Sequence, residues 1–159
     1  MTATTLRSIP ALVHAGLVAP ERLRALERVA AQYAVAITPC MAELIDACDA
    51  NDPIASQFVP TEAELDLRPQ ELTDPIGDLA HSPVEGIVHR YPDRCLLKVN
   101  HACAVYCRFC FRREMVGPEG VRPLSAAALD AAVAYIADHS QIWEVIVTGG
   151  DPFILSSRR

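Results

Sequence analysis

Lysine is almost missing from this sequence: Lys98 is the only one in 159 residues, so arginine carries nearly all the positive charge. The formal net charge is -6, which excludes the basic face that a nucleic-acid-binding domain normally presents. No run approaches the roughly 20 consecutive apolar residues of a membrane span. The N-terminal stretch MTATTLRSIPALVHAGLVAP lacks the long apolar segment of a secretory signal, so the expected location is the cytoplasm. There the six cysteines stay reduced, and a clustered subset reads as metal ligands or catalytic groups rather than disulfides. Internal repeats and low-complexity tracts are absent too. With 51 % apolar residues the chain is long enough to bury a core, which excludes disorder.

Three segments follow from punctuation and periodicity. Residues 1–66 read as helical. Pro20 opens a helix through Tyr33 with Leu23, Leu26, Val29 and Ala30 on one face, and Thr38-Pro39 looks like an N-cap with proline at the first helical position. That second helix is expected to turn Met41, Leu44, Ile45 and Cys48 inward, with Cys40 and Cys48 as small buried hydrophobes. A third short helix follows Asp52-Pro53, and Thr61 and Glu64 stand at capping-box spacing. Residues 67–93, interrupted by prolines 69, 75, 83 and 92, read as a loop-rich wrap.

Residues 94–159 change character. Cys95–Val99 is an apolar run of strand length with Cys95 as packing, and Ser125–His139 is an alanine-rich helix with Leu129, Val133 and Ile136 on one face. Glu144–Thr148 is a second, β-branched strand. Strand, helix, strand predicts an α/β fold with parallel pairing and a right-handed crossover.

The unusual motifs follow the strands. Cys103, Cys107 and Cys110 form a CxxxCxxC trio just after the first strand, and Gly149-Gly150-Asp151 comes just after the second. In parallel α/β folds the loops leaving the C-terminal strand ends carry ligands and catalysis, so the two motifs are expected to share one site. Three thiolates at this spacing suit one compact metal centre. A four-iron, four-sulfur cluster with three protein ligands leaves one iron open for chemistry. A single zinc is the alternative, with His101 awkwardly close to Cys103 as fourth ligand and no fourth cysteine in a ribbon pattern. The stretch from His89 to Arg122 also gathers Arg90, Arg94, Arg108, Arg112, Arg113 and Arg122. It suits an anionic cofactor or a substrate carboxylate, or else a solvated loop.

CAVYCRFC resembles the radical S-adenosylmethionine signature CxxxCxΦC. HSPVEGIVHRYPDR, CRFCFRRE and VTGGDP together resemble the lysine 2,3-aminomutase family, from about Asn51 to the C-terminus. The resemblance implies the first strand-helix-strand units of a TIM-type (β/α) barrel, cut short, with Cys103, Cys107 and Cys110 binding three irons and S-adenosylmethionine on the fourth. It implies Phe109 beside the adenine, where a buried aromatic is the plainer reading, and Gly149, Gly150 and Asp151 as a GGE-type motif holding the methionyl amine. Arg112 takes the position that binds the substrate carboxylate, with a surface arginine as the alternative.

Family membership further implies a 1,2-amino shift on a lysine-like amino acid, an external reductant, homo-oligomers and a pyridoxal phosphate cofactor. The family's pyridoxal lysine has no counterpart here, since Lys98 lies mid-strand; the chain is expected to be a fragment. A paralogue making β-lysine for elongation-factor modification shares these motifs. A non-catalytic iron or zinc module is the reading from another class. Two parallel strands without neighbours are expected to expose unpaired edges and an uncovered apolar face, giving a poorly stable or aggregating monomer unless another chain completes the sheet.

Overall fold

Short, well-punctuated helices come first in the computed structural model, which describes residues 4–117 and 123–156. The chain divides into two units: one runs to Glu71 and takes in Ala104–Gly117, the other comprises Leu72–Cys103 and the described residues from 123 onward.

In the helical unit, Ser8 caps α1 (Ile9–His14) by accepting from the Ala11 N–H at 3.3 Å. Pro20 opens a single 3-10 turn, Pro20–Arg22, before α2 (Leu23–Gln32), and Tyr33 leaves α2 in extended conformation. Leu26 and Val29 are fully buried, as their spacing predicts. They pack with Ile9, Leu12, Ile37 and Phe58 in one core. An isolated antiparallel bridge, Leu6 to Ile37, closes this core on one side.

α3 (Pro39–Ala42) starts at Thr38-Pro39 as expected but lasts four residues. Leu44 is exposed, and Cys40 and Cys48 are exposed rather than buried. The cause is local. Asp46 and Asp49 accept from the Cys48 and Asn51 N–H groups at 2.9 and 2.8 Å, turns that compete with helix continuation. Asp52 then takes the N–H groups of Ala55, Ile54 and Asp46, which holds its carboxyl below the usual range and starts α4 (Ala55–Phe58). Thr61 and Glu64 form the expected capping box on a 3-10 turn, Glu62–Leu65.

The other unit is built on a three-stranded sheet in the order β1-β2-β3, so the described residues have a mixed α/β character. β2 (Arg94–Asn100) and β3 (Glu144–Gly149) pair in parallel, as expected. β1 (Ile87–Tyr91) pairs antiparallel with β2 and lies inside the segment expected to be loop. Its prolines, 83 and 92, flank a five-residue strand rather than break it.

α5 (Ala126–Asp138), capped by Ser125, covers one sheet face. Its inward stripe is Leu129, Ala132 and Ile136 against Cys95 and Leu97. Val133, expected on that stripe, is exposed, because the small Ala132 lets the backbone approach the sheet on a face rotated by one residue. The Tyr135 hydroxyl lies 2.7 Å from His89 Nδ1 and ties α5 to β1. Among the described residues no helix is long and apolar enough to cross a membrane.

Candidate functional site

β2 and β3 end side by side, with Asn100 paired to Gly149. The loops that follow are stitched together: Gly150 N–H donates to Asn100 O and Asp151 N–H to Ala102 O, each at 2.8 Å. Asn100, 2 % exposed, is the hub of this contact. Its amide nitrogen donates to Asp151 O at 2.9 Å and its amide oxygen accepts from Ala102 N–H at 3.2 Å. The sequence reading missed Asn100; a buried asparagine at a strand exit has no spacing rule to reveal it.

The glycines are required by this contact. Gly149 has φ +108, and a Cβ there would fall 2.2 Å from Asn100 O. A Cβ on Gly150 would fall 2.1 Å from Ala102 O. The resemblance assigns these glycines to a ligand; the close partner in the structure is the end of β2 and the residues after it. The Asp151 carboxylate accepts from Phe153 N–H at 2.9 Å and caps a 3-10 turn, Pro152–Ile154. Thus Gly149, Gly150 and Asp151 lie together with the stretch that leads into Cys103, all within the sheet unit.

The division between units falls between Cys103 and Ala104, so Cys107 and Cys110 belong to the helical unit. Residues 104–117 form a succession of turns without helix or strand. Their order comes from the helical core. Val105 and Cys107 pack on it, Tyr106 N–H donates to Ala36 O at 3.0 Å, and Arg108 N–H donates to Gln57 O at 2.8 Å. Cys110 N–H donates back to Cys107 O at 3.1 Å. Burial, and then the charge of Cys110, push the Cys107 thiol up. A metal cation beside the Cys107 thiol would reverse that balance, and Cys110, half-buried three residues on, is a second candidate ligand.

None of the six cysteines, all within the described residues, forms a disulfide. Among the described residues no three His, Cys, Asp or Glu side chains are arranged to hold a metal ion.

The arginines expected to form a cationic stretch have separate engagements. Arg108 is buried against Glu64, with Nε 3.1 Å from Oε1 and Nη2 2.5 Å from Oε2, and its Nη1 donates to Ala34 O at 2.7 Å. Arg113 lies over the Tyr33 ring at 4.2 Å, with Glu71 at 3.8 Å. In the sheet unit Arg90 donates to Ile76 O and Arg94 pairs with Asp93. Arg112 lies 4.5 Å over the Phe111 ring. Phe109, for which a buried aromatic was the plainer reading, is 68 % exposed and open to a planar ligand. Arg122 lies outside the described residues.

No family model matches the chain. It is 40 % identical over 122 residues to an L-lysine 2,3-aminomutase of Clostridium subterminale, covering 77 % of this chain and 29 % of that protein. It is 42 % identical over 125 residues to an L-lysine 2,3-aminomutase of Methanococcus maripaludis, covering 78 % of this chain and 29 % of the relative. A glutamate 2,3-aminomutase of Clostridioides difficile is 38 % identical over 130 residues, covering 82 % of this chain and 30 % of the relative. The chain therefore spans under a third of the length of these curated relatives.

Proposed function

The chain belongs to the lysine 2,3-aminomutase family, and from that premise we propose that it carries the cluster-binding and S-adenosylmethionine-binding segment of a radical aminomutase. One observation carries this reading. The similarity extends over as many as 140 of the 159 residues at 36 % identity, and an alignment that long cannot miss the loop from Cys103 to Cys110.

In this reading Cys103, Cys107 and Cys110 are thiolate ligands of a four-iron, four-sulfur cluster that leaves one iron for S-adenosylmethionine. When bound, the cluster and S-adenosylmethionine supply a 5'-deoxyadenosyl radical on reduction, and pyridoxal phosphate carries the amino group that migrates. The chain's own residues bind and orient. Phe109 offers an exposed ring face to adenine. At the β3 exit, Gly149, Gly150 and Asp151 present backbone and carboxyl acceptors to the methionyl ammonium. Arg112, planar and held over Phe111, suits a bidentate substrate carboxylate. The β2-α5-β3 unit is the start of a (β/α) barrel whose ligand edge bears these loops.

The substrate class is an α-amino acid. Identity to the glutamate enzyme, 38 %, is close to that for the lysine enzymes, so the reading commits to the carboxylate that Arg112 takes and not to one side chain.

Anaerobic reconstitution with iron and sulfide tests the reading. About four irons per chain, lost with Cys107→Ala, and 5'-deoxyadenosine on adding dithionite and S-adenosylmethionine, are the expected results. Stoichiometric zinc in place of iron overturns the cluster. A filled, reduced cluster that yields no 5'-deoxyadenosine favours a non-catalytic metal module.

A further inference from the structure

Arg108 sits between two of the three loop cysteines, yet its side chain faces the helical core. It and Glu64 are only 8 % and 10 % exposed. Three different segments hold it: Ala34 just after α2, Gln57 in α4 through its backbone N–H, and Glu64 in the 3-10 turn. Glu64 is itself fixed, because its Oε1 also accepts the Thr61 N–H at 2.9 Å. The guanidinium therefore meets a carboxylate that is locked from the other side.

A buried ion pair is a poor source of stability, since two apolar side chains of similar volume usually serve a fold as well or better. What the fork-on-fork contact supplies is direction. The loop needs direction, because residues 104–117 have no helix or strand of their own to orient the thiols. We propose that Arg108, acting with Glu64, is a positioning residue that holds Cys107 and Cys110 in the mutual arrangement required to share one metal centre. The proposal rests on the cluster reading for its purpose, while its observations are the anchors of the backbone that carries the two thiols. Outer partners of metal ligands commonly change metal affinity about 10- to 100-fold when removed.

The test reads thiol placement directly. In a chain carrying Cys40→Ser, Cys48→Ser and Cys103→Ser, phenylarsine oxide, which bridges two nearby thiols, reports on the remaining loop pair. Two variants are compared with this parent. Arg108→Met with Glu64→Gln removes the ion pair and keeps a capping-box acceptor for the Thr61 N–H; Arg108→Lys keeps a charge facing Glu64 but loses the fork.

The expected result is bridging about tenfold slower in the double variant with thermal melting unchanged, and an intermediate rate in the lysine variant. Unchanged bridging in either folded variant overturns the proposal. In the chain with all cysteines present, reconstituted with iron and sulfide, the double variant is expected to release iron to a chelator about tenfold faster or more. Slowed bridging supports the positioning role even in a chain that takes up no iron, an outcome that counts against the cluster reading instead.

Discussion

Gly150, just after β3, and Gly16, just after α1, separate the demand of close packing from the demand of backbone conformation. A Gly150→Ala methyl meets the Ala102 carbonyl oxygen at 2.1 Å, a backbone atom that cannot swing away. Gly16 has φ +74 but nothing within 4 Å of its would-be Cβ, so Gly16→Ala pays only backbone strain. Urea unfolding should show a loss of roughly 3 kcal/mol or more for Gly150→Ala and about 1 kcal/mol for Gly16→Ala. Equal losses would mean that the Gly150–Ala102 contact is not the reason for glycine there. The cysteines divide in the same residue-by-residue way. Cys40 and Cys48 are exposed, the loop thiols are half-buried, and Cys95 is 2 % exposed with its thiol pushed up by burial. Ellman's reagent should therefore find two fast thiols, lost in Cys40→Ser with Cys48→Ser, while Cys95 reacts only on unfolding. A fast Cys95 would contradict the packing of β2 under α5.

At the scale of elements, the turn between β1 and β2 is fastened to the start of β3. Asp93 accepts from Arg94 Nε and Nη2 at 3.0 and 2.8 Å and from the indole of Trp143 at 3.1 Å. The Arg94 hydrogen bonds first, then Trp143, bring its carboxyl down to about 2. The unfolded chain titrates near the ordinary aspartate value of about 4, so this clasp is in place above pH 4 and is lost as pH falls towards 2. Urea midpoints followed by the fluorescence of Trp143, the only tryptophan, should fall across that window, and Asp93→Asn should flatten the fall. An unchanged acid limb in that variant would remove Asp93 from the account. Elements with strong periodicity or a clear compositional run were legible in sequence: α2 from its Leu26/Val29 stripe, α5 from its alanine-rich run, β2 and β3 from apolar and β-branched runs. β1 was not, because only Ile87 and Val88 of its five residues are buried and no alternation develops. The length of α3 was not, because the aspartate turns that end it act after the helical pattern has started. Within the candidate site, residue types and spacing marked the cysteines and glycines. Asn100 and the Arg108–Glu64 pair escaped because their partners lie far away in sequence.

For the molecule as a whole, the sheet offers the surface most open to self-association. β3 has β2 as its one neighbour among the described residues, and Val145, Ile146 and Val147 are 38, 42 and 48 % exposed. α5 protects one face only. On the other, Val88, Leu96 and Ile146 border a hollow of about 160 Å³. An edge strand of β-branched residues with unpaired backbone groups is a template for pairing with another chain, and charge on the edge is the usual remedy. Ile146→Lys places a cation on the open face, where the native side chain is already partly in water, so folding should change little. Light scattering against concentration should show self-association of the parent chain and a higher threshold for Ile146→Lys, with thermal melting near that of the parent. The opposite sheet face gives the control: Leu97→Lys puts a charge under α5 and should unfold the sheet rather than solubilise it. If Ile146→Lys associates at the same concentration as the parent, the β3 edge is not the surface that drives association.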